Sequence, residues 1–273
     1  MRTPLRIAVL TTDTAHHRFF LREFSRCLPR GARLVLNLFE ERTYPMARKR
    51  RQHMRANWAN PWRALAVNPY IQPMAFAVKQ DAYERPRFFR DGDDSLPPCV
   101  ETHRVWSVND ADARSCIDSL SPELILVYGT GLVRKEVFDQ APLGAINAHG
   151  GKLPRYRGLD TNLWAAYEGR PEDMTLTLHQ MDATFDTGPV FASRAVPPHE
   201  ELSIYSLRYF TTLICTKMFV DLVGSIIAGT AAATVQGKTP SKYYSLMPWL
   251  LKRKTNLILR AYAQSGAMPV VRA

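Results

Sequence analysis

Short apolar runs and helical repeats of apolar positions alternate along this chain. Arg6 to Thr11 is a compact apolar run closed by polar residues, which predicts a buried strand. Thr11-Thr-Asp-Thr then offers capping side chains, and His16 to Cys27 carries a helical pattern. Leu34 to Phe39 predicts a second strand, so the chain opens as a βαβ unit, which favours a parallel sheet. The alternation resumes at His103 with a short strand, a helix capped by Asn109 and running to about Leu120, and a buried strand over Leu124–Val127. A short helix over Arg134–Asp139, a strand over Ala145–His149 and a helix over Thr161–Glu168 follow. Met174 to Met181 alternates cleanly as a half-buried strand does, and Val190 to Val196 is its expected antiparallel neighbour. Ser203 to Ala228 reads as one long amphipathic core helix.

Residues 40–102 interrupt this rhythm. Arg42, Arg48, Lys49, Arg50, Arg51 and Arg55 stand beside Trp58 and Trp62, and Arg90-Asp-Gly-Asp-Asp-Ser-Leu-Pro-Pro has loop chemistry. The expectation is a helical, basic insertion in an α/β domain spanning 1–235, followed by a short basic helical extension over 236–273. A solvated helix face accounts for most such charge runs; contact with phosphate or a membrane surface is the sharper reading.

Composition narrows the classes. With 46% apolar and 22% charged residues in 273, the chain is neither disordered nor a disulfide scaffold. A formal charge of +11 draws anionic partners: nucleic acid, phospholipid or a phosphorylated small molecule. No helix-turn-helix or zinc pattern accompanies it, which argues against sequence-specific nucleic-acid recognition. Four scattered cysteines have neither CxxC nor metal-ligand spacing, so reduced thiols, a cytoplasmic setting and no metal are expected. The opening apolar run is too short for a signal sequence, and Lys217 and Asp221 break the most apolar late stretch, so no transmembrane span is expected. GxGxxG is absent, and with it local support for a dinucleotide site.

Two segments carry chemistry. Asn147 and His149, two apart at a strand end, leave the same face, where an amide donor and an imidazole could flank one carbonyl. His179-Gln-Met-Asp-Ala-Thr-Phe-Asp-Thr-Gly-Pro ends an alternating strand in a carboxylate-bearing loop. By itself this Asp-Thr-Gly is only a turn signal, and an aspartic protease would need a second copy.

Taken together, Asn147-Ala-His149, Leu153-Pro-Arg-Tyr-Arg-Gly158 and Asp186-Thr-Gly188, preceded by Pro122 to Val133, resemble the folate-dependent formyltransferase family. The resemblance covers 103–200 well and the first forty residues in outline; it implies a Rossmann-like, mostly parallel sheet flanked by helices. It further implies 10-formyltetrahydrofolate as co-substrate, held near Thr130, Gly131, Leu132 and Val133 and under Asp182, Ala183 and Phe185. Asn147 would donate to the formyl oxygen and His149 would donate there too or take the proton of the attacking amine, with Asp186 orienting His149 and favouring its charged form. Arg155, Tyr156, Arg157 and Gly158 would meet an anionic amine. Gly150-Gly151 replaces the family's usual Pro-Ser, which is expected to loosen the loop.

Within the family, the stretch after Ser203 leaves little room for the barrel of methionyl-tRNA enzymes, and Thr11–His17 lacks the glycines of a phosphate loop. An amino sugar on a nucleotide or lipid carrier is therefore the favoured amine, supported by Gln236 and the pair Tyr243–Tyr244. A hydroxyornithine-type amine and methionyl-tRNA are alternatives; a formyltetrahydrofolate hydrolase and a non-catalytic basic binding protein are rivals of other classes. The expected partners are a small anionic amine, with room for a membrane-surface contact through the basic run and for a homodimer.

Overall fold

The computed structural model describes residues 3–41, 45–60, 62, 65 and 68–265. Its centre is a seven-stranded sheet in the order β3-β2-β1-β4-β5-β7-β8. Strands β1 (Leu5–Thr11), β2 (Ala32–Glu40), β3 (Glu101–Val105), β4 (Leu124–Val127) and β5 (Ala145–Gly150) run parallel. Strands β7 (Thr175–Gln180) and β8 (Val190–Ala195) are antiparallel additions at one edge. The inner strands are near-continuous apolar runs because helices cover both faces.

Helix α1 (Ala15–Cys27) packs on the long helix α7 (Leu207–Ile227), and Phe20, Phe24 and Phe219 interlock between them. Helix α7 is the one described helix long and apolar enough to cross a membrane. Here it buries Cys215, Met218, Phe219, Leu222 and Val223 in the core on the sheet. Helix α4 (Ala111–Leu120) and the short α5 (Lys135–Phe138) cover the other face. Asp110, not Asn109, caps α4, its carboxylate accepting from the Ala113 N–H at 2.9 Å.

The stretch expected as one basic insertion has two physically different halves. Helix α2 (Met46–Ala56) buries no residue. Helix α3 (Met74–Phe88) is tied into the fold: Glu84 takes a bidentate pair from Arg208 of α7, and Phe88 stacks on Phe19 of α1. Beyond the large sheet, β6 (Tyr156–Gly158) pairs in parallel with β9 (Lys242–Tyr244), an element the hydrophobic pattern does not signal. Helices α6 (Thr161–Tyr167) and α8 (Trp249–Ser265) close a third core around Tyr156, Leu163, Met247 and Leu259.

Candidate active site

Strand β4 ends at Val127, opposite Asn147, so the last residues of β5 have β7 on one side and no strand on the other. That overhang is the crevice in which polar side chains converge. Asn147 and His149 share a face by strand periodicity, and register places His179 of β7 directly across from Asn147. The hairpin between β7 and β8 folds back over this face and delivers Asp186, whose φ of +55° lies in the left-handed region.

Each group is oriented by its neighbours. The Asn147 amide donates to His179 Nε2 at 3.1 Å, while His179 Nδ1–H donates to the Gln180 carbonyl at 2.9 Å. His149 is 6% exposed, and its Nε2–H donates to the Tyr156 carbonyl at 2.8 Å. The remaining nitrogen, Nδ1, lies 3.5 Å from Asp186 Oδ1, which is also 3.6 Å from His179 Nε2. The Gly158 N–H donates to Asp186 Oδ2 at 3.1 Å. Gln236 pins the hairpin from outside, its amide donating to the carbonyls of Asp186 (3.0 Å) and Gly188 (2.7 Å).

The electrostatics correct one expectation. Burial pushes the His149 imidazole below its usual value and outweighs the pull of Asp186 towards the charged form. Burial also works against ionisation of Asp186, but the His179 and His149 imidazoles and the Gly158 N–H together hold that carboxyl below the ordinary range. The resting site is thus a carboxylate beside a neutral imidazole whose proton sits on Nε2. Imidazole Nδ1 and carboxylate Oδ1 face each other as acceptors, which is an arrangement ready to receive a proton.

The loop after β4 is held from below. The Gly131 N–H donates to the buried Glu40 at 2.6 Å, and Asn109 Nδ2 donates to the Leu132 carbonyl at 2.6 Å. Thr130 donates only to the adjacent Gly131 carbonyl, and Val133 turns into the second core. Leu132 is left 53% exposed and Phe185, in the hairpin, 55% exposed, with Ala183 also open to solvent. Asp182 ties the hairpin internally, accepting from the Thr184 N–H and the Thr187 hydroxyl.

The residues expected to meet the amine divide. Tyr156 is 0% exposed; it stacks on Tyr244, and both hydroxyls donate to Glu168 at 3.0 and 2.8 Å, so it is a structural residue and cannot touch substrate. Arg155 is engaged by Asp173, which Lys152 also contacts. Arg157 has no ion pair among the described residues, and its Nε is buried without a partner. Gly158, at φ +95°, brings its backbone against the Tyr244 carbonyl, where any Cβ would collide. Gly151 is not loose either: a Cβ there would strike Thr161, and its N–H donates to the Thr175 carbonyl at 2.8 Å. Tyr243, unlike Tyr244, is exposed, near Phe185 with ring centroids 6.4 Å apart.

His179 and Glu168 escape sequence reasoning. His179 lies in the quoted segment, but only the β5–β7 register shows that it faces Asn147. Among the described residues no group of three His, Cys, Asp or Glu could hold a metal ion.

Residues 79–211 match the family model described as formyl transferase, a match that starts inside α3 and so takes in part of the supposed insertion. Among curated proteins, the methionyl-tRNA formyltransferase of Pelobacter propionicus is 31% identical over 162 residues, 59% of this chain and 48% of that protein. The chain spans about half the length of the curated relatives it matches. Of solved structures, glycinamide ribonucleotide transformylase 1 from Symbiobacterium toebii aligns with a TM-score of 0.54 at 16% identity, covering 86% of this chain and 95% of that one. WlaRD, a sugar 3N-formyl transferase crystallised with dTDP and 5-N-formyl-THF, aligns with a TM-score of 0.52 at 12% identity, covering 99% and 84%. The two solved structures share the fold, and the segment that matches the formyl transferase family model contains Asn147, His149 and Asp186.

Proposed function

We propose that this protein transfers a formyl group from 10-formyltetrahydrofolate to a primary amine, and that the amine belongs to an amino sugar carried on a nucleotide. The observation that carries the reading is the meeting of Asn147, His149 and Asp186, from segments far apart in sequence, around one crevice. The crevice edge suits a flat heterocycle, because Leu132 and Phe185 present apolar side chains from the two loops that border it. When bound there, the folate supplies the formyl group.

The second amide proton of Asn147 is free to stabilise negative charge developing on the formyl oxygen. His149 Nδ1 accepts the proton released as the amine nitrogen bonds to the formyl carbon. Asp186 then pairs with the imidazolium, a charge that burial alone disfavours. The same Nδ1–H returns the proton to the departing folate nitrogen as its bond to the formyl carbon breaks. Arg157 is the cation available to a phosphate, since guanidinium matches phosphate oxygens bidentately. The sugar nucleotide is further supported by exposed Tyr243 beside the hairpin and by the ligands of WlaRD.

The names of the curated relatives favour methionyl-tRNA as the second reading. The test is incubation with 10-formyltetrahydrofolate and a panel of nucleotide-linked amino sugars, with methionyl-tRNA as a separate arm, read by mass spectrometry. One formyl group gained on a sugar supports the first reading, and formyl-methionyl-tRNA the second. Formate released without any amine would replace both with a hydrolase.

A further inference from the structure

We infer that the face built on α2 with Trp58, Trp62, Leu65 and Ile71 docks on an anionic phospholipid bilayer. From Arg42 to Gln80 the chain carries eight Lys or Arg (42, 48, 49, 50, 51, 55, 63 and 79) and no Asp or Glu. Elsewhere in this protein several arginines find carboxylates: Arg18 pairs with Asp13, Arg85 with Asp94, and Arg194 with Asp221. Among the described residues no carboxylate pairs with Arg48, Lys49, Arg50, Arg51 or Arg55, and α2 buries none of its side chains. With no carboxylate paired to it among the described residues, the charge of this helix is available to an outside anion.

The apolar component argues for lipid over nucleic acid. Trp58 and Trp62 are 79% and 81% exposed, directly after the basic helix. A groove of about 370 Å³ is lined by Arg50, Arg51, Met54 and Arg55 of α2 with Leu65 and Ile71. Its lining is aliphatic, with guanidinium groups on long stems, which matches an acyl chain topped by a phosphate. Single-stranded nucleic acid instead wants aromatic faces inside the groove to stack its bases, and the two tryptophans are not among the lining residues. Indole rings placed beside a basic helix suit the headgroup level of a membrane.

The segment that follows α2 is tied to the third core. The Gln72 amide donates to the Met247 carbonyl at 3.0 Å, and Met247 stands three residues after β9. The proposal does not depend on which amine is formylated.

The experiment is co-sedimentation of the full chain with vesicles of phosphatidylcholine alone, or of two parts phosphatidylcholine to one part phosphatidylglycerol. At low salt the expected binding is at least about tenfold tighter on the anionic vesicles and weakens steeply as salt rises. Combined Arg50→Glu, Arg51→Glu and Arg55→Glu should remove that advantage while the circular dichroism spectrum is unchanged. A second readout needs no variant for the wild-type result: brominated lipid in the anionic vesicles should quench tryptophan fluorescence, and Trp58→Phe with Trp62→Phe should abolish the quenching. Equal binding to both vesicle types, absence of quenching, or full binding by the triple variant overturns the proposal. So does tight retention of poly-uridylate by protein that ignores anionic vesicles, which would make the face an RNA surface.

Discussion

The β5–β7 crevice and the α2 face are both rich in groups that can bind, yet they are built by opposite means. In the crevice Asn147 is held by the His179 ring, His149 by the Tyr156 carbonyl, and Asp186 by the Gly158 N–H and, through the hairpin backbone, by Gln236. On α2 no charged side chain is buried, and none pairs with a carboxylate among the described residues. The difference separates chemistry from attraction. Bond making needs atoms fixed within a fraction of an ångström, whereas recruiting an anion needs only charge and area.

The sharpest break of this contrast is in the crevice. Asn147→Ala, His149→Ala and Asp186→Ala should each lower turnover at least about a hundredfold, on the order of 3 kcal/mol of transition-state stabilisation, with the fold intact. Near-normal turnover in His149→Ala, measured with the amine that accepts the formyl group, would remove the imidazole from the mechanism.

A positional test comes next. Glu168→Ala leaves the hydroxyls of Tyr156 and Tyr244 without their acceptor inside the third core, and should cost roughly 2–3 kcal/mol in urea unfolding. The site should then weaken through Tyr156, whose carbonyl holds His149.

Acid should separate the regions further. His16, His17 and His149 all have imidazoles pushed down first of all by burial, His17 to about 3. As pH falls through about 6.5, the unfolded chain takes up these protons while the folded chain does not. Stability should therefore fall with acidification, by up to about 1.4 kcal/mol per pH unit for each such histidine. His17→Asn should flatten the slope of the urea midpoint between pH 7 and pH 5. The activity profile has the same sign: neutral His149 is the base, so kcat/KM should hold below the usual imidazole midpoint of about 6.5 before declining. An acid limb above that value contradicts the burial of His149.

The smallest effect belongs to α2. Arg48→Ala or Arg50→Ala should change unfolding free energy by no more than about 0.5 kcal/mol, since neither side chain is buried or paired. A larger loss in thermal melting would show that this helix is part of the fold.

Much of the framework was legible from residue pattern, because burial on both faces of a parallel sheet demands runs such as Ile7–Leu10 and Leu124–Val127. Where pattern is weak, reading fails for identifiable reasons. The three-residue strands β6 and β9 are too short to show a period and pair across more than eighty positions. Tyr156 sits in a motif shared with substrate-binding neighbours, and nothing local reveals that its ring lies under Tyr244. Gly150-Gly151 looks permissive on paper; packing against Thr161 makes Gly151 a close-approach residue. Positions 42–44, 61, 63, 64, 66, 67 and 266–273 of the expected insertion and extension lie outside the described residues.

By itself the sequence determined which side chains could do chemistry, because Asn147-x-His149 and Asp186-Thr-Gly188 are local patterns, and which strands had to be interior, because apolar runs cannot face water. Only tertiary structure decided that His179 sits opposite Asn147, that Tyr156 is buried, and that His149 rests neutral. Those outcomes depend on strand register, on the fold-back of the hairpin and on desolvation, each a property of distances between segments that the linear order does not carry.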